Sequence, residues 1–573
     1  MKQRWVYREF PNHGDDLSYI IGVSSGIFAA APEAERIQYA TLAKKAEYCI
    51  TKGVQFVQID LESVSEFKAP DLKEQMEKIK RLGVTFGIHS ETKAFGVEVA
   101  ELDSAIETDY KFGHERLKEI LEKAGEIGSK YVLIHSSEST PFLFLERTLQ
   151  PTALVDFFGN PLKDFLLKEE NKWLVDDWLF RKDGGIFMWT EFLGISLEEF
   201  KERTRINYRQ SYQLEHPGEE PPEEEIKKII DIHVQREKRS FLDFLQSRHL
   251  HYGPERFAYY FIAKWMEENK DPLWENIVKE TINFFAKTEN KTPKQWLEEK
   301  GIKKLSIDDE NFRRYSYLWV PAVSAKYIWG HLFQDGTKYF DLKQIIKKYN
   351  MPLILETPMA HRGIEEWLRL PNPLQMYYLA KEVNEKVGFE CLLLAMDFEH
   401  MLSIRLEPEK VIEALPPDGG SYVRVLHVGY PAALAPAHIP IPLGSEQQLY
   451  LYKIMYLLRK KQFGTDPKKD FYIVFERGGG PDPIKQSIIA LRKIIEFLEK
   501  DVKPEELIKH PEFFGIATGE FASPERQWVI IREHAFDPLK GLIATPEEEY
   551  TALGKAALEK GAPPEKWKKE ELK

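Results

Sequence analysis

The chain has 573 residues, which suits one large α/β domain with insertions or two ordinary domains. Its hydrophobic fraction of 43% predicts a large core, and its formal net charge of -12 argues against a broad nucleic-acid-binding surface. No apolar run is long enough for a transmembrane helix and the N-terminus is too polar for a signal peptide, so we expect a cytoplasmic protein; the high Lys and Glu content with few cysteines would suit a thermophile.

Eight short runs rich in Val, Ile, Leu and Phe are the clearest local signal. In chain order they are Tyr19–Val23, Phe56–Asp60, Val84–His89, Tyr131–His135, Pro352–Thr357, Cys391–Phe398, Tyr422–Val428 and Phe471–Arg477. Continuous apolar runs of this length indicate strands that are buried on both faces.

Amphipathic helical patterns lie between most of these runs, and several end at a glycine, a common helix stop. They span Glu35–Gly53, Asp71–Gly83, His114–Gly128, Leu374–Gly388 and Asp482–Lys500. Buried strands that alternate with helices predict a parallel sheet. The count of eight strands favours a closed (β/α)8 TIM barrel over a doubly wound open sheet.

One long segment interrupts this alternation after the fourth strand. We expect residues 1–140 and 337–500 to form the barrel, residues 141–336 an inserted helical subdomain, and residues 501–573 a C-terminal extension. The insertion contains a long helical pattern, Glu223–Leu250, and eight of the twelve tryptophans, for which packed core is favoured over a base- or sugar-stacking role. Because it follows a strand end, we expect the insertion to cover the barrel face where the strands end and to restrict substrate size.

Six successive predicted strands carry a metal-capable side chain at the same end. These residues are His89, His135, Glu356, Asp397, His427 and Glu476. In a parallel barrel such ends meet at one mouth. A lone His at a strand end is usually a hydrogen-bonded rim residue, but six in succession favour a metal site, since uncompensated buried carboxylates repel each other.

The residue types narrow the choice of metal. The only cysteines, Cys49 and Cys391, lie in apolar stretches and are interpreted as buried free thiols, so thiolate ligation is excluded. Imidazole and carboxylate ligands suit Zn, Mn, Fe or Co. Several carboxylates could bridge two ions about 4 Å apart, as in two-metal phosphodiester hydrolysis. We therefore expect divalent metal ions, zinc first, with Mn, Co and Mg as alternatives.

The strand ends also resemble a known family. The matching pieces are GIHSE (Gly87–Glu91), LIHSSES (Leu133–Ser139), LILETP (Leu353–Pro358), MDFEH (Met396–His400), VLHV (Val425–Val428), HIPIPLGSE (His438–Glu446) and FE (Phe475–Glu476). In this order they resemble the endonuclease IV branch (AP endonuclease family 2) of the xylose isomerase-like TIM barrels. The resemblance covers residues 19–139 and 338–500.

The resemblance implies how the metal-capable residues divide between ions. A first metal would be held by His89, His135 and Glu356. Glu356 would bridge to a second metal, which would be completed by Asp397, His427 and Glu476.

Two departures from the family pattern concern the rest of the site. The resemblance assigns His400 and His438 to a third metal, but the family's Asp two residues before the loop His is Pro436 here. The two histidines could therefore bind substrate instead. The segment Ser90–Gly96 also differs from the family's DNA-reading loop, which weakens the transfer of abasic-DNA specificity.

Two reactions stay open for such a barrel. A phosphoester hydrolase accounts for His89 and His135, which a single-metal enzyme does not need. A sugar isomerase or epimerase, as in the ketose epimerase branch of the same superfamily, would bind one ion and use Glu356 and Glu476 as its catalytic acid/base pair. In that case His400 would help to bind the sugar. We favour the hydrolase.

A catalytically inactive barrel that acts as a binding module is a third, less favoured interpretation, because the whole ligand set is present. The expected partner is a phosphoester or sugar substrate. DNA is an open possibility that the net charge does not support, no membrane association is expected, and the sequence leaves the oligomeric state open.

Overall fold

The computed structural model describes residues 19–25, 41–50, 53–61, 64–90, 101–137, 140–141, 153–174, 195–246, 255–334, 338–358, 366–432, 435–476 and 483–516. Eight parallel strands close into a barrel in chain order, with the eighth paired to the first. They are β1 (Tyr19–Ser24), β2 (Phe56–Asp60), β3 (Thr85–His89), β4 (Val132–His135), β5 (Leu353–Glu356), β6 (Leu392–Asp397), β7 (Val423–Val428) and β8 (Phe471–Phe475). The predicted (β/α)8 barrel is confirmed.

Helices of the described residues occupy the connections between the strands. In chain order they are α1 (Leu42–Ile50), α2 (Leu72–Arg81), α3 (Glu107–Ile127), α4 (Leu162–Leu167), α5 (Leu197–Glu215), α6 (Glu223–Gln246), α7 (Glu255–Glu268), α8 (Pro272–Thr288), α9 (Pro293–Glu299), α10 (Glu310–Arg314), α11 (Val320–Leu332), α12 (Leu342–Tyr349), α13 (Pro373–Val387), α14 (Phe398–Ser403), α15 (Pro408–Ala414), α16 (Gly419–Tyr422), α17 (Glu446–Arg459) and α18 (Pro483–Glu499). Short 3₁₀ helices lie at Val64–Lys68, Glu169–Asn171, Ser316–Leu318, Pro504–Lys509 and Pro511–Phe514. None of these described helices is both long and apolar enough to span a membrane.

The predicted helix boundaries hold best at the C-terminal ends. Gly128 and Gly388 follow α3 and α13 in the left-handed conformation, with φ of 77° and 74°. Helix α3 begins earlier than predicted, at Glu107, because the polar-looking start of the helix buries Tyr110 against the core. Cys391 is a buried free thiol, as predicted. The N-terminal part of the first predicted helix and most of the C-terminal extension lie outside the described residues.

Alternate strand residues face the barrel axis. An apolar inner layer is formed by Phe56, Tyr131, Leu133, Ile354, Leu393, Ala395, Val425, Tyr472 and Val474. Because side chains alternate along a strand, the residue two positions after an inward apolar residue also faces inward. Glu356 thus follows Ile354, and His427 follows Val425. The metal-capable residues therefore form a second inward-facing layer, nearer to the strand ends than the apolar layer.

The described residues between β4 and β5 are mainly helical, as predicted. Helices α5 and α6 form an antiparallel hairpin with its own small apolar cluster. Helices α7, α8 and α11 share the large core with the barrel helices, and α8 packs along α13. Thr281 of α8 accepts a hydrogen bond from Gln375 in the first turn of α13, on the side where β5 ends. The insertion therefore contacts the expected end of the barrel, while its role as a cover for the site stays a prediction.

A buried arginine joins the insertion to this end of the barrel. The guanidinium of Arg369, in the segment between β5 and α13, donates to the backbone carbonyl of Asp103 at 3.0 Å and to the Glu255 carboxylate at 2.7 Å. Asp103 lies between β3 and α3, whereas Glu255 begins α7. Arg369 also donates to Oδ1 of the Asp103 carboxylate at 3.4 Å, and Ser324 of α11 donates to Oδ2 of that carboxylate at 2.9 Å. This cluster links two barrel loops to two helices of the insertion.

Arg369→Met should destabilise the protein, because it leaves the Asp103 and Glu255 carboxylates without their shared cation. We expect the free energy of unfolding to fall by about 3–5 kcal/mol. The matched control is Arg314→Met, which removes an arginine that is 72% exposed beside Glu310, and should cost less than about 1 kcal/mol. Urea unfolding followed by circular dichroism measures both. Equal losses in the two variants would contradict the linking role of Arg369.

Candidate metal centre

Strand register brings the predicted residues together at the barrel mouth. His135 is paired with Glu356 across β4 and β5, and Asp397 with His427 across β6 and β7. Glu356 is fully buried at the centre of the group. Residues distant in the sequence are therefore neighbours in one ring.

The two carboxylate oxygens of Glu356 face different imidazoles. Oε2 lies 3.0 Å from Nε2 of His89 and 3.5 Å from Nε2 of His135. Oε1 lies 2.6 Å from Nδ1 of His427 and 3.5 Å from Nδ1 of His400. One carboxylate thus lies between two pairs of imidazole rings.

Three groups of potential metal ligands share Glu356. They are His89–His135–Glu356, Glu356–His427–Glu476 and Glu356–Asp397–His400, each with one donor atom per residue within 4.8 Å of the others. The structure therefore brings together seven predicted residues, the six strand-end residues and His400. His438 lies on a strand, Ala435–Ile439, that pairs with Tyr430–Ala432, and its side chain is outside the described part of the molecule.

The chemistry of this donor set fits a divalent cation. Oδ2 of Asp397 is buried and has no hydrogen-bond partner among the described residues. It lies 3.6 Å from Nδ1 of His427 and 3.7 Å from Nε2 of His400. Oε1 of Glu476 lies 3.2 Å from the same His427 nitrogen. A buried carboxylate oxygen without a donor is costly, and a cation between these groups would compensate it.

The electrostatics of the cluster favour positive charge. Burial by itself would raise the pKa of the Glu356 carboxyl, but the facing His427 imidazole outweighs it and holds that pKa well below its usual range. Burial likewise works to lower the pKa of His427, but Glu356 and Glu476 raise it well above its usual value. Metal ions compete with protons for imidazole nitrogens, so a site that stabilises an imidazolium among carboxylates is also suited to bind a metal cation.

Backbone carbonyls orient two of the imidazoles. Nδ1 of His89 lies 2.8 Å from the carbonyl oxygen of Ser90, and Nδ1 of His400 lies 2.9 Å from that of Thr357. A carbonyl only accepts hydrogen bonds, so Nδ1 carries the proton in both rings. Once any proton on Nε2 is displaced, Nε2 is therefore the atom of each ring that can coordinate a metal.

Sequence reasoning missed two polar residues of β2, Gln58 and Asp60. Oε1 of Gln58 lies 2.9 Å from Nε2 of His427, and Asp60 accepts a hydrogen bond from Ser24 at 2.6 Å. Asp60 pairs in register with His89. The sequence contained a signal for both residues. The apolar run Phe56–Asp60 also ends in a carboxylate, and the alternation of side chains along a strand places Gln58 and Asp60 on the same face as the inward Phe56.

Comparisons with known proteins find no matching family model and no matching curated protein. Solved structures that match include a D-tagatose 3-epimerase-like protein (12% identity, 84% of this chain and 98% of that chain, TM-score 0.39). L-ribulose 3-epimerase also matches (10% identity, 86% of this chain and 98% of that chain, TM-score 0.38). Endonuclease IV from Thermus thermophilus is a third match (11% identity, 84% of this chain and 99% of that chain, TM-score 0.34). Proteins of both branches considered from the sequence are thus among the matched structures.

Glu356→Gln should abolish the stabilisation of the protein by zinc, because the shared ligand of all three groups loses its charge. With zinc at about 100 times its dissociation constant, the unchanged protein should gain about 2.7 kcal/mol. The measurement is the melting temperature of chelator-treated protein with and without added zinc. Glu298→Gln, at a glutamate that is 65% exposed on α9, is the control and should keep the zinc response. A full response in Glu356→Gln would show that the site assignment is wrong.

Proposed function

We propose that this protein is a phosphoester hydrolase with a centre for two divalent ions, zinc first, of which Glu356 would be the shared ligand. The observation that carries this proposal is the division of the Glu356 carboxylate, in which Oε2 faces His89 and His135 while Oε1 faces His427 and His400. A single-ion site does not require imidazoles on both sides of one carboxylate. A two-ion site would use both sides, since a bridging carboxylate gives one oxygen to each ion.

The remaining ligands fall into two sets around this bridge. In our proposal His89 and His135 would hold one ion, and Asp397, His427 and Glu476 would hold the other. Paired divalent ions supply an activated water molecule and stabilise charge on phosphate oxygens. The strands hold the candidate ligands in fixed positions, and the apolar layer packs beneath them.

The exposed part of the ring indicates where a substrate would enter. The side chains of His135 and Glu476 are 16% and 15% exposed, whereas that of Glu356 is fully buried. A phosphoester would therefore approach past His135 and Glu476. The net charge of -12 favours a compact phosphoester over a long polyanion, because the chain lacks the excess of cations that contacts along a nucleic-acid backbone require.

A metal-dependent sugar isomerase or epimerase is the second candidate. It is favoured by the cluster of Asp397, His427, Glu356 and Glu476, which would make a complete four-ligand site for one ion. In that reaction Glu356 and Glu476 would exchange a proton with carbon. The burial of Glu356 is unfavourable for this role, since both of its oxygens already face imidazoles. We therefore retain the hydrolase as the primary proposal.

His135→Gln should separate the two reactions, because His135 belongs only to the set that a one-ion enzyme does not need. For a hydrolase we expect bound zinc to fall from two ions per chain towards one, and cleavage of bis(p-nitrophenyl) phosphate and of an abasic duplex to fall to background. For an epimerase we expect one ion per chain before and after the change, with interconversion of simple ketoses retained. Elemental analysis and the three activity assays measure these outcomes.

His216→Gln is the control for this experiment, because His216 is an exposed residue just after α5. It should keep both the metal content and the activity of the unchanged protein. One ion per chain together with ketose interconversion in the unchanged protein would replace the hydrolase proposal by the epimerase. Activity that survives Glu356→Gln at its original level would exclude both.

A further inference from the structure

Gln58 lies in the barrel interior, directly beneath the ring of metal-capable residues, and is fully buried. Its Oε1 is 2.9 Å from Nε2 of His427 and 3.0 Å from the hydroxyl of Tyr131. Its Nε2 is 3.4 Å from Oε1 of Glu476 and 3.5 Å from Oδ1 of Asp60. The amide therefore has two potential donors on one side and two carboxylates on the other.

These surroundings permit one orientation of the amide. The NH₂ group of glutamine only donates hydrogen bonds, and ionised carboxylates only accept them. The reverse orientation would place Oε1 against Glu476 and Asp60, where oxygen would face oxygen. The carboxylates thus keep the NH₂ group on their side, and Oε1 must face His427 and Tyr131.

The orientation of Gln58 determines the tautomer of His427. Because Oε1 only accepts, Nε2 of His427 must carry the proton that it donates. Nδ1 is then left with its lone pair once a metal displaces any proton there. This Nδ1 is the atom that lies 2.6 Å from Glu356 and 3.2 Å from Glu476.

We infer that Gln58 is a positioning residue of the metal centre, which holds His427 as the Nε2–H tautomer and so presents Nδ1 to the cation. The hydroxyl of Tyr131 supports it by donating to the same oxygen. For His89 and His400, backbone carbonyls fix the tautomer, and a substitution cannot remove a backbone carbonyl. Gln58 is a side chain, so its substitution can test whether the tautomer of His427 matters for metal binding. The inference rests on the metal centre of the proposed function and holds for either reaction.

Zinc affinity of the full chain, measured by competition with a chromophoric chelator, tests the role of Gln58. Gln58→Met keeps the length of the side chain but removes the acceptor, and should weaken zinc binding by about 10–100-fold. Tyr131→Phe leaves Gln58 in place and should have a smaller effect. The matched control is Gln448→Met at a fully buried glutamine of α17, which should keep the original affinity.

Nitrogen NMR of the zinc-loaded protein, with ¹⁵N-labelled histidine, tests the tautomer without any variant. We expect the His427 ring, assigned by its loss in His427→Gln, to carry its proton on Nε2. A proton on Nδ1, or unchanged zinc affinity in Gln58→Met, would overturn the inference while leaving the proposed function intact. Zinc binding without phosphoester cleavage would overturn the proposed function and leave the inference standing. A chain that binds no zinc would overturn both.

Discussion

The buried carboxylate of Glu356 imposes the constraint around which the barrel mouth is organised. An ionised carboxylate in a protein interior is costly unless opposite charge or several donors surround it. Here four imidazoles face its two oxygens, and the carboxylates of Asp397 and Glu476 in turn face one of those imidazoles. Among the described residues, one oxygen of Asp397 in this cluster has no hydrogen-bond partner. A divalent cation would compensate the buried negative charge of these carboxylates more completely than a proton does.

The barrel strands hold the side chains around Glu356 in rigid positions. Five of the six contributing strands end in a polar side chain that lies above an apolar residue two positions earlier, and in β3 the residue below His89 is Gly87. These apolar residues pack against each other beneath the ring. Gln58 lies between the two layers, where it accepts a hydrogen bond from the hydroxyl of Tyr131 in the apolar layer and contacts Nε2 of His427 in the ring.

The long insertion separates His135 from Glu356 in the chain, although they are direct partners in the sheet. Strand pairing is insensitive to the length of the connection, because the loop-closure cost grows slowly with loop length. The buried Arg369 cluster then joins the insertion to the loops that follow β3 and β5. The insertion is consequently coupled to the segments next to two of the candidate ligands, His89 and Glu356.

The sequence by itself determined the eight strands, their alternation with helices, the helical character of the insertion and the strand-end positions of the candidate ligands. These properties depend on local apolar periodicity, which is visible along the chain. Closure of the barrel decided which atoms meet: the division of imidazoles between the two oxygens of Glu356, the inclusion of Asp60 near the ring, and the contact of Gln58 with His427. No local pattern encodes a contact between residues this far apart, because strand register and side-chain direction create it only when the barrel closes.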